Sequence, residues 1–588
     1  MNDFQMNTSK INNEKNVINP LQFFKLPIEY VDNHILPKHV VNDLEILNTI
    51  DDNNIPIYDI LFENQTKLGN ICSKKWSEVF TSYKPFLVDS QKIYKSLHKF
   101  PEYDKTVIRN MVDSFETIKR DNNFLEKYQY VDIEKLKWAN KSTIFLQILS
   151  YYNISSPVIN LLTPFSILFL PFLILKILKL PITFSHYKEI LFKQLRNNHF
   201  GKLFFEFNTI SIYQKIYCFL CIGLYVYNIY QNALSCYKFY KNTYFILSQI
   251  DTINKYLDYT IEKMFYFSNL IKGYPSYSEF KFKLDDILNK LRTLHTSMRS
   301  IKKDCTLGTK AKDIGNIMKQ FYLIYECEEI NEILQYSFGF NGYIDNILGI
   351  HKNYSKKTIS TIRFNTKPKA NIKFINSYHP SIKDNIVKNN VSLKKNHIIT
   401  GPNAAGKTTL LKTTIINLIL SQQIGMGFYD NGTISLFDYI HCYINIPDSC
   451  SRDSLFQAEA RRCKNILDII KENPYKKHFC VFDELYSGTN PYEAVSSAFS
   501  YLKYLSKNKN VKFMITTHYV QLCELLKNKK IKQIENKNMD ASIVNDIPKY
   551  NYKLVDGISR IKGGISVLKQ LDYPSQILKL TKTILQNI

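Results

Sequence analysis

The nonapeptide Gly401-Pro402-Asn403-Ala404-Ala405-Gly406-Lys407-Thr408-Thr409 follows the apolar run His397-Ile398-Ile399-Thr400 and leads into a helix-forming stretch. It meets the spacing G-x-x-x-x-G-K-[ST] at every required position, on a strand, loop, helix background. Glycine at 401 and 406 lets the backbone curl so that successive N–H groups face inward, and a helix starting near Lys407 adds the positive end of its dipole. Such a loop is a cradle for phosphate oxygens. Lys407 is placed to reach the β and γ phosphates of a nucleotide, and Thr408 offers a hydroxyl to Mg²⁺. The expected ligands are therefore ATP and Mg²⁺.

Two further strands bring the remaining chemistry. Phe479-Cys480-Val481-Phe482 is apolar and ends in Asp483-Glu484, 75 residues after Thr408. Asp483 is expected to hold Mg²⁺, and Glu484 to orient and deprotonate the attacking water. Alone, a strand ending Asp-Glu is an ordinary solvated turn, and the phosphate loop upstream decides against that. Val511 to Thr517 is a third β-type run and delivers His518, a neutral donor or acceptor suited to sensing a γ phosphate. In isolation that histidine would more often be structural.

These segments sit in a region, from Asn371 onward, where short β-type runs alternate with helices and Gly-rich turns, the texture of an α/β domain. Upstream the texture is helical. Ile246, Ile250, Ile253, Leu257, Ile261 and Met264 step by three and four, and Leu284, Leu288, Leu291, Leu294, Met298 and Ile301 continue the habit, which predicts long helices packed along a seam. Residues 90–149 show similar spacing. Residues 1–34 are polar, rich in Asn and Lys, and read as a loose tail, with the ordered part starting near Leu36.

Between the two helical regions lie the most apolar parts of the chain. Val158 to Leu175 is eighteen residues without a charge and Ile216 to Tyr237 is twenty-two, each long enough for a bilayer core of about 30 Å at 1.5 Å per residue. Pro164 and Pro171 interrupt the first, and Asn228, Gln231 and Asn232 the second. The connecting stretch 176–215 holds seven Lys or Arg against two Glu, and the positive-inside tendency opposes placing that loop across a membrane. A pair of helices lying on an anionic surface through residues 155–240 fits better, with a buried apolar subdomain as the competing reading.

At 588 residues the chain is long enough for two to four domains. Its net charge of +25 and pI of about 9.3 favour a polyanionic partner, nucleic acid or acidic membrane, although Lys, Asn, Ile and Tyr are used heavily throughout and the charge need not form a patch. Eleven scattered cysteines and the lack of a basic, apolar, small-residue leader argue against a disulfide scaffold and for a reducing, intracellular setting. Cys218 and Cys221 form a C-x-x-C pair without a second pair or histidine at ligand spacing, so no metal site is read there.

Taken together, Thr400 to Thr409, Asp483-Glu484-Leu485-Tyr486-Ser487-Gly488-Thr489-Asn490 and Thr516-Thr517-His518-Tyr519 resemble the ATPase domain of MutS proteins, the mismatch-repair branch of the ABC ATPases. Ser454-Leu455-Phe456-Gln457-Ala458-Glu459 resembles the family's signature loop, and Tyr378-His379-Pro380 the element before its phosphate loop. Val555-Asp556-Gly557 with Gly563-Gly564-Ile565 resembles its C-terminal element. A transporter ATPase would show L-S-G-G-Q, which is absent. The resemblance implies a homodimer with composite ATP sites, in which Ser454 acts in trans, and DNA binding by family. Ala405, where the family usually has glycine, and Asn490-Pro491 after the base are departures.

The likeness extends weakly to Val41–Ile46, Thr66–Gly69, Trp76 and Asp89-Ser90-Gln91, which are similar to the start of the family's core. The expected fold is thus an α/β P-loop (ABC-type) ATPase domain, C-terminal to a mostly α-helical MutS-like lever core that carries an apolar helical insert. Its expected divisions are a tail (1–34), outgoing core helices (35–149), the insert (150–240), returning lever helices (241–365), the ATPase domain (366–545) and a C-terminal dimerisation element (546–588). No room is expected before residue 35 for a mismatch-reading domain, and Phe204-Phe205-Glu206, which fits the bare Phe-x-Glu pattern of mismatch wedges, is read as coincidence. The functional expectation is ATP hydrolysis coupled to DNA binding in a repair-like or recombination-like role. The alternative is a membrane-associated mechanochemical ATPase that reads no mismatches. A degenerate scaffold is disfavoured because Lys407, Asp483, Glu484 and His518 are all present.

Overall fold

The computed structural model describes residues 17–179, 183–197, 199–205, 207–299, 301, 307–365, 370–444, 454–544, 547–561, 565, 568–569 and 571–587. They divide into two compact units. One holds 106–261 and 289–334 with the described residues up to Ile18, the other 19–105, 262–288 and 335 onward.

The first unit is helical. Its elements are α1 (Lys105–Lys119), α2 (Thr143–Leu162), α3 (Ser166–Ile177), α4 (Phe184–Asn197), α5 (His199–Phe205), α6 (Ile212–Ile271), α7 (Ser278–Arg299) and α8 (Leu307–Glu326). With α9 (Glu328–Ser355), the helices α6 and α7 contribute residues to both units. Three- and four-residue steps put Ile246, Ile250, Ile253 and Leu257 on one stripe of α6, and all are buried, as are Leu291, Leu294 and Met298 of α7. The stripes meet where the Asn254 amide donates to the Met298 carbonyl at 3.3 Å. Elsewhere Phe124 stacks on Tyr325 with ring centroids 3.8 Å apart, and the Tyr130 hydroxyl donates to the Met318 carbonyl at 2.7 Å.

The outer part of this unit differs. There α2 runs antiparallel to α6, with Cys236 donating to the Ile154 carbonyl and the Tyr225 hydroxyl to that of Asn160. The apolar run 158–175 is divided, since α2 stops at Leu162, a tight turn covers Thr163–Phe165 and α3 follows with Pro171 inside it. Residues 216–237 are instead an unbroken stretch of the 60-residue α6, which is about 90 Å long. Among the described residues no helix is long and apolar enough to cross a membrane. The division of the first run and the Tyr, Asn and Gln content of the second are the reason.

In the second unit six strands form one sheet. In chain order the strands of this region are β1 (Arg363–Phe364), β2 (Ile372–Ser377), β3 (Asn389–Ser392), β4 (Asn396–Thr400), β5 (Asn431–Ile434), β6 (Tyr439–Tyr443), β7 (His478–Asp483), β8 (Val511–Thr516), β9 (Ile534–Val544) and β10 (Ile547–Asp556). The large sheet has the order β6-β7-β8-β4-β9-β10, parallel except for the last pair, and β1-β5-β2-β3 form a smaller one. The central strands β4 and β8 are buried along their whole length, as continuous apolar runs in a parallel sheet should be. Helices α10 (Lys407–Gln423), α11 (Leu455–Glu472), α12 (Pro491–Ser506), α13 (Val520–Asn528) and α14 (Ser575–Asn587) complete this region.

Residues 19–105 dock on α10. Gln423 donates to the carbonyls of Trp76 and Val79 at 2.6 and 2.9 Å and accepts from the Tyr58 hydroxyl at 2.8 Å, while Gln422 donates to the Thr81 carbonyl at 3.1 Å.

Three expected boundaries shift. Residues 17–34 were expected in a loose tail, yet Phe24, Leu26 and Ile28 are fully buried, anchored through short 3-10 turns that leave no helical period to read. The division at 240/241 falls inside α6, and that at 545/546 falls inside the β9–β10 hairpin, so β10 belongs to the six-stranded sheet. Of the residues that carried the resemblance, Gly563 and Gly564 lie outside the described residues, as does Glu206 of the Phe-x-Glu match.

Candidate functional site

Adjacent strands β7, β8 and β4 are parallel, so the loops at their carboxyl ends open side by side, the place where such sheets bind ligands. After β4 comes the Gly401–Thr409 loop. Gly406 caps α10 at φ +87°, a left-handed conformation natural to glycine, and Ala404 takes φ +63°. Ala405 stays out of that region, and its methyl is buried, which is why alanine is accommodated there.

Lys407 is buried and folds back over its own loop, its Nζ donating to the carbonyls of Gly401 at 3.0 Å and Pro402 at 3.2 Å. Burial lowers its pKa, and the carboxylates of Glu484 and Asp483 oppose the shift. Thr408 donates to Oδ2 of Asp483 at 2.8 Å, and the Thr516 hydroxyl donates to Oδ1. Thr408 and Asp483 thus present oxygen donors at one point. Hard oxygen ligands, few in number and beside a phosphate cradle, suit Mg²⁺, which keeps waters and takes the rest of its shell from substrate phosphates. The pair fits that ion.

Glu484 follows at φ +51°, its N–H held by the Thr516 carbonyl and hydroxyl at 3.2 Å each. Its Oε1 lies 2.6 Å from Nε2 of His518, which is also 3.3 Å from Lys407 Nζ. A ring nitrogen cannot donate and accept at once, and the shorter contact, to an anion, assigns Nε2–H to Glu484. That hydrogen bond is the largest influence holding the Glu484 carboxyl below the usual carboxylate range, against burial, with the His518 and Lys407 charges assisting. Lys407, Thr408, Asp483, Glu484 and His518, drawn from three strands, are therefore joined by direct contacts.

A cavity of about 630 Å³ opens from this cluster, bounded by Asn403, Ala404 and 406–410 on one side and by Tyr378, His379, Ile382, Val387, Met539 and Tyr552 on others. Burial pulls the His379 pKa down to about 4, with Lys412 adding to it, so the wall is neutral there. Tyr552, from β10, lies over the phosphate loop; a Cβ built on Gly406 would sit 3.2 Å from its ring. Asn389 holds this strand, donating to the Tyr552 carbonyl at 2.9 Å and accepting from Leu554 N–H at 2.8 Å. Sequence reasoning named neither Tyr552 nor Asn389. The aromatic alternation Tyr550-Asn551-Tyr552 was visible, but nothing local tied it to a loop some 145 residues earlier.

Ser454 does not line the cavity. It is exposed and caps α11, accepting from Gln457 N–H at 3.4 Å while Gln457 returns a bond to the Ser454 N–H at 3.0 Å, the reciprocal capping box. One turn on, buried Glu459 accepts from Ser487 N–H and hydroxyl at 3.0 and 2.9 Å and from Gly488 N–H at 3.1 Å. Helix α11 thereby grips the loop that follows Glu484. Asn490-Pro491 is a helix start, with Asn490 capping Glu493 N–H at 3.0 Å and proline in the first turn.

A parallel sheet whose central strand feeds a glycine loop and helix, with a strand ending in Asp-Glu one strand removed, defines a P-loop nucleotide domain. Residues 397–588 match MutS domain V, so this part of the chain is a domain of the MutS type. A DNA mismatch repair protein MutS from Persephonella marina is 32% identical over 215 residues, covering 35% of this chain and 24% of its own. The MutS of Aquifex pyrophilus is 28% identical over 217 residues, 36% of this chain and 25% of its own. An endonuclease MutS2 from Staphylococcus epidermidis is 28% identical over 236 residues, 39% and 29% respectively. The chain spans about a quarter of the length of these relatives.

Proposed function

We propose that this chain is an intracellular, homodimeric ABC-type ATPase that hydrolyses Mg²⁺-ATP and couples the cycle to DNA binding in a mismatch-repair or recombination-like role. The observation that carries the reading is the convergence of Lys407, Thr408, Asp483, Glu484 and His518 at three adjacent strand ends. Lys407 exchanges the Gly401 and Pro402 carbonyls for β and γ phosphate oxygens. Thr408 and Asp483 would hold Mg²⁺, which when bound neutralises charge on those oxygens. Glu484 takes a proton from water as the water oxygen bonds to the γ phosphorus; the bond to the bridging oxygen breaks and ADP leaves with its electron pair. His518 fixes Glu484 and senses the γ phosphate. Tyr552 packs on the base, with Asn389 setting its strand.

DNA coupling is supported by the net charge of +25 and by relatives whose names place them in mismatch repair. Its test is ATP turnover of the purified protein with and without duplex DNA across a salt series, where DNA should change the rate and salt should erase the change. Absence of turnover would overturn the ATPase; turnover indifferent to DNA, without DNA binding, would overturn the coupling. For the dimer, Ser454→Ala and Lys407→Ala subunits should regain partial activity on mixing, because one of the two composite sites is then intact. A mixed dimer without recovery argues against Ser454 acting in trans.

A second reading, a mechanochemical ATPase anchored to a membrane and reading no mismatches, is favoured by the exposed apolar helices of the first unit. It predicts that turnover responds to the anchoring surface and not to DNA.

A further inference from the structure

We infer that the outer helices of the first unit, α2 to α5 and the first half of α6, bind in the plane of an anionic lipid leaflet without crossing it. The inference rests on the second reading in naming its surface, but the contact stands or falls by itself.

Exposure comes first. Ile148, Val158 and Leu161 of α2, Phe169 of α3, and Leu220 and Leu224 of α6 are each more than half exposed, Phe169 at 69%. So many exposed large apolar side chains on neighbouring helices are uncommon on a water-facing protein and favour a contact site. Tyrosines 152, 213, 217, 227, 230, 237 and 240 are exposed among them, each an apolar ring with a polar tip, the side-chain type that favours a membrane–water boundary.

Charge then selects the occupant. Lys176, Lys179, Lys193 and Arg196 are exposed and make no ion pair among the described residues, and Lys188 rests 6.0 Å from the Phe192 ring centre. The stretch 176–215 carries seven Lys or Arg and two Glu. A protein interface core is depleted of lysine. A second copy of this chain would bring two such basic loops toward each other, whereas an anionic leaflet accepts apolar side chains and neighbouring ammonium groups together. The in-plane geometry follows from the helices themselves, none of which is apolar and long enough to span.

The experiment floats full-length protein with vesicles of phosphatidylcholine, with or without phosphatidylserine, and measures ATP turnover in the same samples. We expect flotation with the anionic vesicles only. Lys176→Gln, Lys179→Gln, Lys193→Gln and Arg196→Gln together should weaken it by at least about a hundredfold, since each basic group near the surface adds roughly a factor of five. Leu220→Asp with Leu224→Asp should abolish it while nucleotide binding and helical content persist. Failure of the unmodified protein to float, equal flotation on neutral vesicles, or self-association lost in Leu220→Asp without any vesicle effect each overturns the inference. Flotation that leaves ATP turnover unchanged upholds the lipid contact and removes the mechanochemical reading.

Discussion

Helix α10 and the outer half of α6 share a property in sequence and meet opposite fates in the fold. Neither has a polar face. In α10, fourteen of seventeen residues are buried, and the polar ones are satisfied inside: Asn417 donates to the Thr413 carbonyl and accepts from Phe428 N–H, and Gln422 and Gln423 bond to the chain around residues 76–81. In α6 from Ile212 to Tyr244, most large apolar side chains face outward. A helix apolar all round belongs in a protein interior or in lipid. The first finds its interior in this chain; the second has none here, so its complement lies outside. What separates them is the sheet, since α10 follows a central strand that fixes it against other elements, whereas outer α6 has no sheet against it among the described residues and bonds to the antiparallel α2 and to the stretch at Lys127 and Gln129.

The contrast accords with the proposals of nucleotide chemistry at the start of α10 and attachment at outer α6, and the sharpest way to break it is at Glu484. Glu484→Gln should keep ATP bound and cut turnover by about a hundredfold or more, as removal of a general base does; single-turnover kinetics at the unmodified rate would refute that role. Lys407→Ala, in the first turn of α10, should weaken nucleotide binding roughly ten- to hundredfold. Deleting residues 155–240 behind a short linker should leave binding unchanged by the same titration, because the cavity is built from residues beyond 375.

Smaller effects sharpen the comparison in the fold. Asn417→Ala strands the buried Phe428 N–H and should cost about 1–3 kcal/mol in denaturant unfolding. Leu224→Gln on exposed outer α6 should stay within about 0.5 kcal/mol in that measurement. The last effect is a pH shift. Glu484 titrates below the usual carboxylate range, so its pairing with His518 is present above that range and is lost as pH falls through the lowered value. The acid limb of turnover should therefore move upward in His518→Ala. An unmoved limb would show that the pair does not set it.

Much of the site was legible because its parts are local. A loop and its lysine, a carboxylate pair closing one strand and a histidine after another need only short windows, and the parallel order β7-β8-β4 then brings them together. What was missed depends on distant pairing. Tyr552 reaches the phosphate loop only because the β9–β10 hairpin joins the sheet and Asn389 pins it. Glu459 lay in a segment noted for its serine, yet its three bonds to residues 487 and 488 are tertiary. The buried segment around Phe24 to Ile28 had no period because its turns are 3-10, so polarity alone was read. The helical seam showed clearly, while the division into two units, each made of three separate stretches of the chain, did not.

The grip of Glu459 has a consequence for timing. Its carboxylate joins the start of α11 to the turn behind Glu484, where Tyr486 also sits at φ +61° and the backbone has little slack. Glu459 therefore ties the segment capped by Ser454 to the turn at Ser487, so a displacement of the cap is expected to be felt at that turn. The reverse is expected as well: a shift of Glu484 should be felt at the cap. The two ends of this short linkage meet through one buried acid, and Glu459→Ala should leave both ends in place but uncoupled from each other.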